Sequence, residues 1–298
     1  MKLEELIYQW FIKDKELAGR LAAFSGEPAV FYQAAPADNQ EGWKGGQYPR
    51  IVYAVDMQAN QGRRSAGAMS VIILCDEAGT LPEELEPAVR ECLKDIIITP
   101  KGGSPYCFAW SRTDSFEMAS KESGADTRII GMEVRFDVLE YPSQEGTNPD
   151  PVAALNHYIK GRLPSVFVLG MDRKEDFLVA GVPVPVFYCR LASVEKESET
   201  NMVTWVDGKI AVHVLCRSAE ERLKWVMALA DSLAGDCKVG MLDGSPMHVR
   251  GLVVNSTADY LKEGQLTVTG HYGLPRWRAK KPKLEGIKMT GGFYGGKK

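Results

Sequence analysis

Residues 70–77 read SVIILCDE, and residues 210–218 read IAVHVLCRS. Both runs are rich in β-branched apolar residues and reach a cysteine, Cys75 or Cys216, as a strand buried in a sheet would. Each is followed by S/T-x-x-E, Thr80 with Glu83 and Ser218 with Glu221. In that pattern the hydroxyl and the glutamate satisfy each other's free backbone N–H groups at the start of a helix. Helices are therefore expected after both cysteines, burying Leu85, Val89, Cys92, Leu93 and Ile96 in one case and Leu223, Val226, Met227, Ala230 and Leu233 in the other.

The likeness extends outward in both directions. Upstream lie an amphipathic helix through Leu3, Leu6, Ile7, Trp10 and Phe11, and a shorter one through Val152, Leu155 and Ile159. Short strands follow at 30–33 and 166–169, then RIVYAVDM (50–57) and VPVFYCRLA (184–192), then polar arms over 58–68 and 193–204. Downstream come YCFAWSRTDSF (106–116) and HVRGLVVNSTADY (248–260), each ending on an aromatic residue. The last strands alternate strictly: Ile130, Met132, Val134, Phe136 and Val138 in one, Leu266, Val268, Tyr272 and Leu274 in the other. Period-2 alternation describes a sheet with one packed and one wet face, as antiparallel pairing allows. GGSP (102–105) and DGSP (243–246) are turn chemistry at equivalent places, and Asp207-Gly208 reads as a tight hairpin turn.

A fixed order repeated over this many elements decides the architecture before any local assignment. The expected fold is α+β in two tandem domains, each a small, mainly antiparallel sheet with a long hairpin packed against two helices. The first spans 1–146, with a linker from about 142 that includes SQEGTNPDP (143–151); the second spans 147–276; a basic, Gly-rich tail spans 277–298. A chain of 298 residues, 45% hydrophobic and 25% charged, is long enough for two cores of ordinary composition.

The net charge of −3 conceals an asymmetry. Eight Lys and Arg against one Glu give the segment from Arg276 onward +7, leaving −10 for residues 1–275. Such a tail suits a phosphate backbone or an acidic surface, although a solvated tail is the simpler reading. There is no 18-residue apolar run and no signal-like N-terminus, so the expectation is a cytoplasmic protein without a membrane partner. Six cysteines without a C-x-x-C pair read as buried free thiols.

No catalytic, cofactor or metal site is expected. His213 and Cys216 lie three apart on a strand and so face opposite ways, with Cys216 assigned to the core and His213 to the surface. His157, His248 and His271 stand in separate elements without an acid at ligand spacing. The acidic runs Asp172, Glu175, Asp176 and Glu83, Glu84, Glu86 fit a loop and a helix first turn. Phosphate-cradling motifs are absent.

The unit order, the long polar hairpin between IVYAVDM and SVIILCDE, and the phrase DSFEMASKESGADTRIIGMEVRFDVLEY resemble phage tail-completion or tail-terminator proteins and their neck relatives. The resemblance covers both halves and is one of pattern. It implies a non-enzymatic subunit that closes into a ring, caps the tail tube and meets the head connector, located in the host cytoplasm and then in the virion. Members of that family usually carry one unit per chain; two units here imply a homo-oligomer, either a trimer of pseudo-sixfold symmetry in which each half takes one ring position, or a ring of first halves whose second halves decorate it or face the connector. In such a ring Arg63 and Arg64 of the first arm, and Arg276, Arg278, Lys280, Lys281 and Lys283 of the tail, are the expected lumen or partner contacts, with passing DNA among the partners. The alternatives are a two-domain binding module whose arm is the tail, and a thiol-dependent hydrolase using Cys107 or Cys189.

Overall fold

A computed structural model describes residues 1–58, 65–94, 96–119, 128–143, 146–172, 184–216 and 218–276. The protein is α+β. Helix α1 (Leu3–Lys13) buries Leu3, Leu6, Ile7 and Phe11, and the short α2 (Lys15–Ala18) follows, capped by Asp14. Strands β1 (Ala23–Phe24), β2 (Glu27–Pro28) and β4 (Trp43–Lys44) form a small sheet beside β3 (Val30–Tyr32). Then come β5 (Arg50–Met57), β6 (Ser65–Asp76), α3 (Pro82–Leu93), β7 (Tyr106–Ala119) and β8 (Arg128–Glu140). The later residues give α4 (Pro151–Arg162), β9 (Phe167–Val168), β10 (Val186–Glu199), β11 (Val203–Leu215), α5 (Ala219–Asp236), β12 (Lys238–Gly240), β13 (Pro246–Val254) and β14 (Leu266–Pro275).

Two large sheets result, ordered β3-β5-β6-β8-β7 and β12-β13-β14-β11-β10-β9. Read from opposite ends, they run alike: a short strand parallel to its neighbour, then an antiparallel meander into which the last strand inserts. A helix precedes each short strand, and another links the second strand of each hairpin to the strand that becomes an edge or is covered only by β12. Among the described residues, the β1-β2-β4 sheet has no counterpart in the second half.

Each large sheet has its own core. In the first, Ile7, Phe11, Leu85, Val89 and Leu93 from helices meet Met69, Val71, Ile73, Val134, Phe136 and Val138. In the second, Leu155, Ile159, Val226, Leu229 and Leu233 meet Val206, Ile210, Val212, Val214, Leu266 and Val268. Full burial of such a side chain is worth roughly 1.5–3 kcal/mol. A third cluster joins the halves through the sheet faces turned away from the helices: Cys107, Leu139 and Tyr141 pack with Val186, Tyr188, Leu215 and Leu261. The Tyr141 hydroxyl donates to the Leu261 carbonyl at 2.9 Å, the Tyr188 hydroxyl donates to Pro142 O at 3.0 Å, and Lys262 Nζ lies 2.8 Å from Asp137 Oδ2.

Several local expectations need correction. Helix α3 starts at Pro82 with Leu81 as N-cap and no side-chain cap bond, so Thr80 does not cap it. Proline already lacks one of the N–H groups that a cap would satisfy. Ser218 does cap α5, its Oγ accepting from Glu221 N. The buried stripe of α5 is Val226, Leu229, Ala230 and Leu233, whereas Leu223 and Met227 are 44% and 41% exposed. The 143–151 tether is shorter than expected, because Asp150 caps α4 and Pro151 is its first residue. Strand β13 stops at Val254, short of Tyr260.

Asp207 and Gly208 make no turn; they sit within β11, paired to Glu195 and Val194 on one side and to His271 and Gly270 on the other. The hairpin instead turns at 200–202, where Thr200 Oγ1 accepts from Met202 N and Val203 N. Glycine at 208 serves a close approach, since a Cβ there would lie 2.9 Å from the Tyr272 ring. Among the described residues no helix is long and apolar enough to cross a membrane.

The junction between the halves gives the first prediction. Tyr141→Phe keeps the ring but orphans the buried Leu261 carbonyl, so urea unfolding should show a loss of about 1–3 kcal/mol. Wild-type stability in this variant would remove that hydrogen bond from the account of the junction.

Candidate functional site

In β11 the residues Val206, Ile210, Val212 and Val214 point to the helices, so Trp205, Asp207, Lys209 and His213 share the opposite, outer face. Across that face the ladder aligns one residue from each of four strands, in the order His248, His271, Asp207, Glu195. Two β-bulges then bring further charges to the row. Glu197 is the extra residue between Lys196 and Ser198 of β10, and Arg250 the extra residue between Val249 and Gly251 of β13. A bulged residue leaves the ladder and its side chain is re-aimed.

Of these, His271, Asp207, Glu197 and Arg250 close on one another. His271 Nδ1 lies 2.8 Å from Asp207 Oδ1 and 3.2 Å from Glu197 Oε2. Arg250 Nη1 donates to Glu197 Oε1 at 2.5 Å and lies 3.4 Å from Asp207. Trp205 stacks on the His271 ring, with centroids 5.3 Å apart and planes 13° from parallel. Lys209 pairs separately with Glu195 at 2.9 Å. Glu197, Ser198, Trp205, His248, Arg250 and His271 line an open groove of about 610 Å³. Glu197, Asp207 and His271 each place a potential ligand atom within 4.8 Å of the others. The isolated histidines of the sequence reading are thus corrected at two positions: β pairing sets His248 beside His271, and His271 beside two carboxylates.

His213, expected at the surface, is 2% exposed. Its Nε2 accepts from Arg190 Nε at 3.2 Å, which requires Nδ1 to carry the proton that it donates to Tyr260 O at 2.9 Å. The rings of Tyr141 and Tyr188 flank it. This imidazole is held neutral as part of the junction between the sheets.

Of the predicted lumen contacts, Arg276 is described, and it serves its own hairpin. Its guanidinium donates to Thr200 O at 3.1 Å and lies 3.6 Å from Glu199, while its N–H donates to Met202 O. The Lys196 ammonium, with Arg276 behind it, holds Glu199 below the usual carboxylate range. Arg63, Arg64, Arg278, Lys280, Lys281 and Lys283 lie outside the described residues, as do Glu175 and Asp176.

The thiols are sequestered. Cys75, Cys92, Cys107, Cys189 and Cys216 are buried, and Cys237 alone is exposed, at the C-cap of α5. Burial pushes the Cys75 thiol up to about 12 and raises those of Cys189 and Cys216. A nucleophilic cysteine needs the opposite shift. Iodoacetamide at neutral pH should therefore alkylate Cys237 alone in the native chain and reach the five buried thiols only after unfolding. Fast labelling of Cys107 or Cys189 would revive a thiol mechanism.

In comparisons with known proteins, no family model, curated protein or solved structure matches this chain.

Proposed function

We propose that this chain is a non-enzymatic assembly subunit of the phage tail-completion or neck kind, built from a duplicated α+β unit, which caps a tail tube and meets the head connector within a homo-oligomeric ring. The observation that carries the reading is the common strand order of the two large sheets. A chain that repeats one unit can fill two equivalent places of a ring, so that three chains give pseudo-sixfold symmetry. Two further features support it. Among the described residues, β10 is paired on its β9 side only at Val186 and Phe187, and β7 meets a further strand only through the Ile98–Tyr106 bridge. Open edges of this length are natural points of pairing between subunits. The burial of Cys107 and Cys189 weighs against the thiol-dependent hydrolase.

On this reading the chain works first in the host cytoplasm and then in the virion, with the tube protein, the connector and passing DNA as partners. The groove on the second sheet favours one other reading, a two-unit binding module with the basic tail as its arm. Truncation after Pro275 separates the two: a binding module should lose partner capture, whereas a ring built from the sheets should still form.

Electron microscopy tests the main proposal. Purified chain should form closed rings, and particles from the encoding genome with this gene deleted should show tails of uncontrolled length or tails unjoined to heads. Normal particles from the deletion, with a monomeric purified chain, would overturn it.

A further inference from the structure

We propose that the outer face of the second sheet is a site for a divalent transition-metal ion, ligated by the imidazoles of His248 and His271. Asp207 and Glu197 act as the carboxylates that orient the second ring.

The register supplies the geometry. His248 and His271 are direct partners in the β13–β14 ladder, both on the face away from the helices. Side chains so placed have Cβ atoms about 4.5–5.5 Å apart. Two rings starting from that separation can converge on one ion at the roughly 2.0–2.1 Å that a zinc–imidazole bond requires.

The hydrogen bonds supply the tautomer. Both atoms near His271 Nδ1, Asp207 Oδ1 and Glu197 Oε2, are carboxylate oxygens and can only accept from it. Nδ1 therefore carries the proton, and in the neutral ring the lone pair is on Nε2. Among the described residues Nε2 has no partner, and neither has the His248 ring. A ligating histidine characteristically gives its other N–H to a carboxylate, which fixes the ring and raises its basicity. Trp205, stacked on the face of the imidazole, restricts the ring further.

Charge and access agree with this assignment. Around His271 two carboxylates face one guanidinium, Arg250, and Lys209 is engaged by Glu195. The groove is open, leaving room for water to complete the coordination sphere. A nitrogen pair with carboxylates behind it suits Zn²⁺, Ni²⁺ or Cu²⁺, whereas Mg²⁺ and Ca²⁺ demand mostly oxygen ligands.

The test is calorimetric titration of the purified full chain with ZnCl₂ and with NiCl₂, with MgCl₂ as control. One Zn²⁺ or Ni²⁺ should bind per chain and Mg²⁺ should not. His248→Ala is the decisive variant, because its side chain is exposed and removing it disturbs no described contact. It should weaken binding at least tenfold, as should His271→Ala, and Asp207→Asn should weaken it by about 10–100-fold. Cys237→Ser should leave it unchanged. No saturable binding, binding unaltered by His248→Ala, or binding abolished by Cys237→Ser would each overturn the proposal. None of these outcomes depends on whether the chain forms a ring.

Discussion

The register of β11 between β10 and β14 is the constraint on which the second half depends. With Asp207 opposite His271, the even-numbered residues Val206, Ile210, Val212 and Val214 reach the helices and the odd-numbered ones turn outward. A slip of one residue would push Asp207 and Lys209 into the core and set four β-branched side chains in water. Apolar burial thus holds the register, and the register in turn assembles the polar row on the other face. Gly208 permits it locally, by letting the Tyr272 ring lie against the strand.

That outer face is used in two ways along its length. Near the end of β11, His213 and Leu215 are sealed beneath Tyr141 and Tyr188, where each polar atom needs a partner because none is reached by water. The neutral tautomer of His213 and the two tyrosine hydroxyls meet that demand. Near the β10–β11 turn the face is open, and the Arg250, Glu197, Asp207 and His271 contacts are partly solvated. Solvent-exposed pairs of this kind add little to stability, which therefore does not account for their convergence.

Much of the fold was legible because it is local and periodic. The spacing of Leu3, Leu6, Ile7 and Phe11, and the alternation of Val134, Phe136 and Val138, report a buried face directly. The α+β class and the positions of most strands follow from such patterns. What failed was decided by tertiary context. Asp207-Gly208 has turn composition but lies where a ring crosses the strand, Thr80 was pre-empted by Pro82, and Leu223 and Met227 lie just off the buried arc of α5. The candidate site was illegible for a different reason. Its members come from residues 197, 207, 248, 250 and 271, and only the strand pairing makes them neighbours. A clue was present in HVR (248–250) and GHY (270–272), where basic residues fall at the polar positions of strands, but nothing local says that the two segments are adjacent.

The two bulges have a consequence for how such a site arises. Glu197 and Arg250 are residues that the ladders skip, so removing either one would let its neighbours in the strand pair in continuous register at that point. The sheet and its polar cluster are therefore separable in heredity as well as in physics. A codon inserted or deleted at either bulge changes the polar row without altering the apolar residues Val206, Ile210, Val212 and Val214 beneath it.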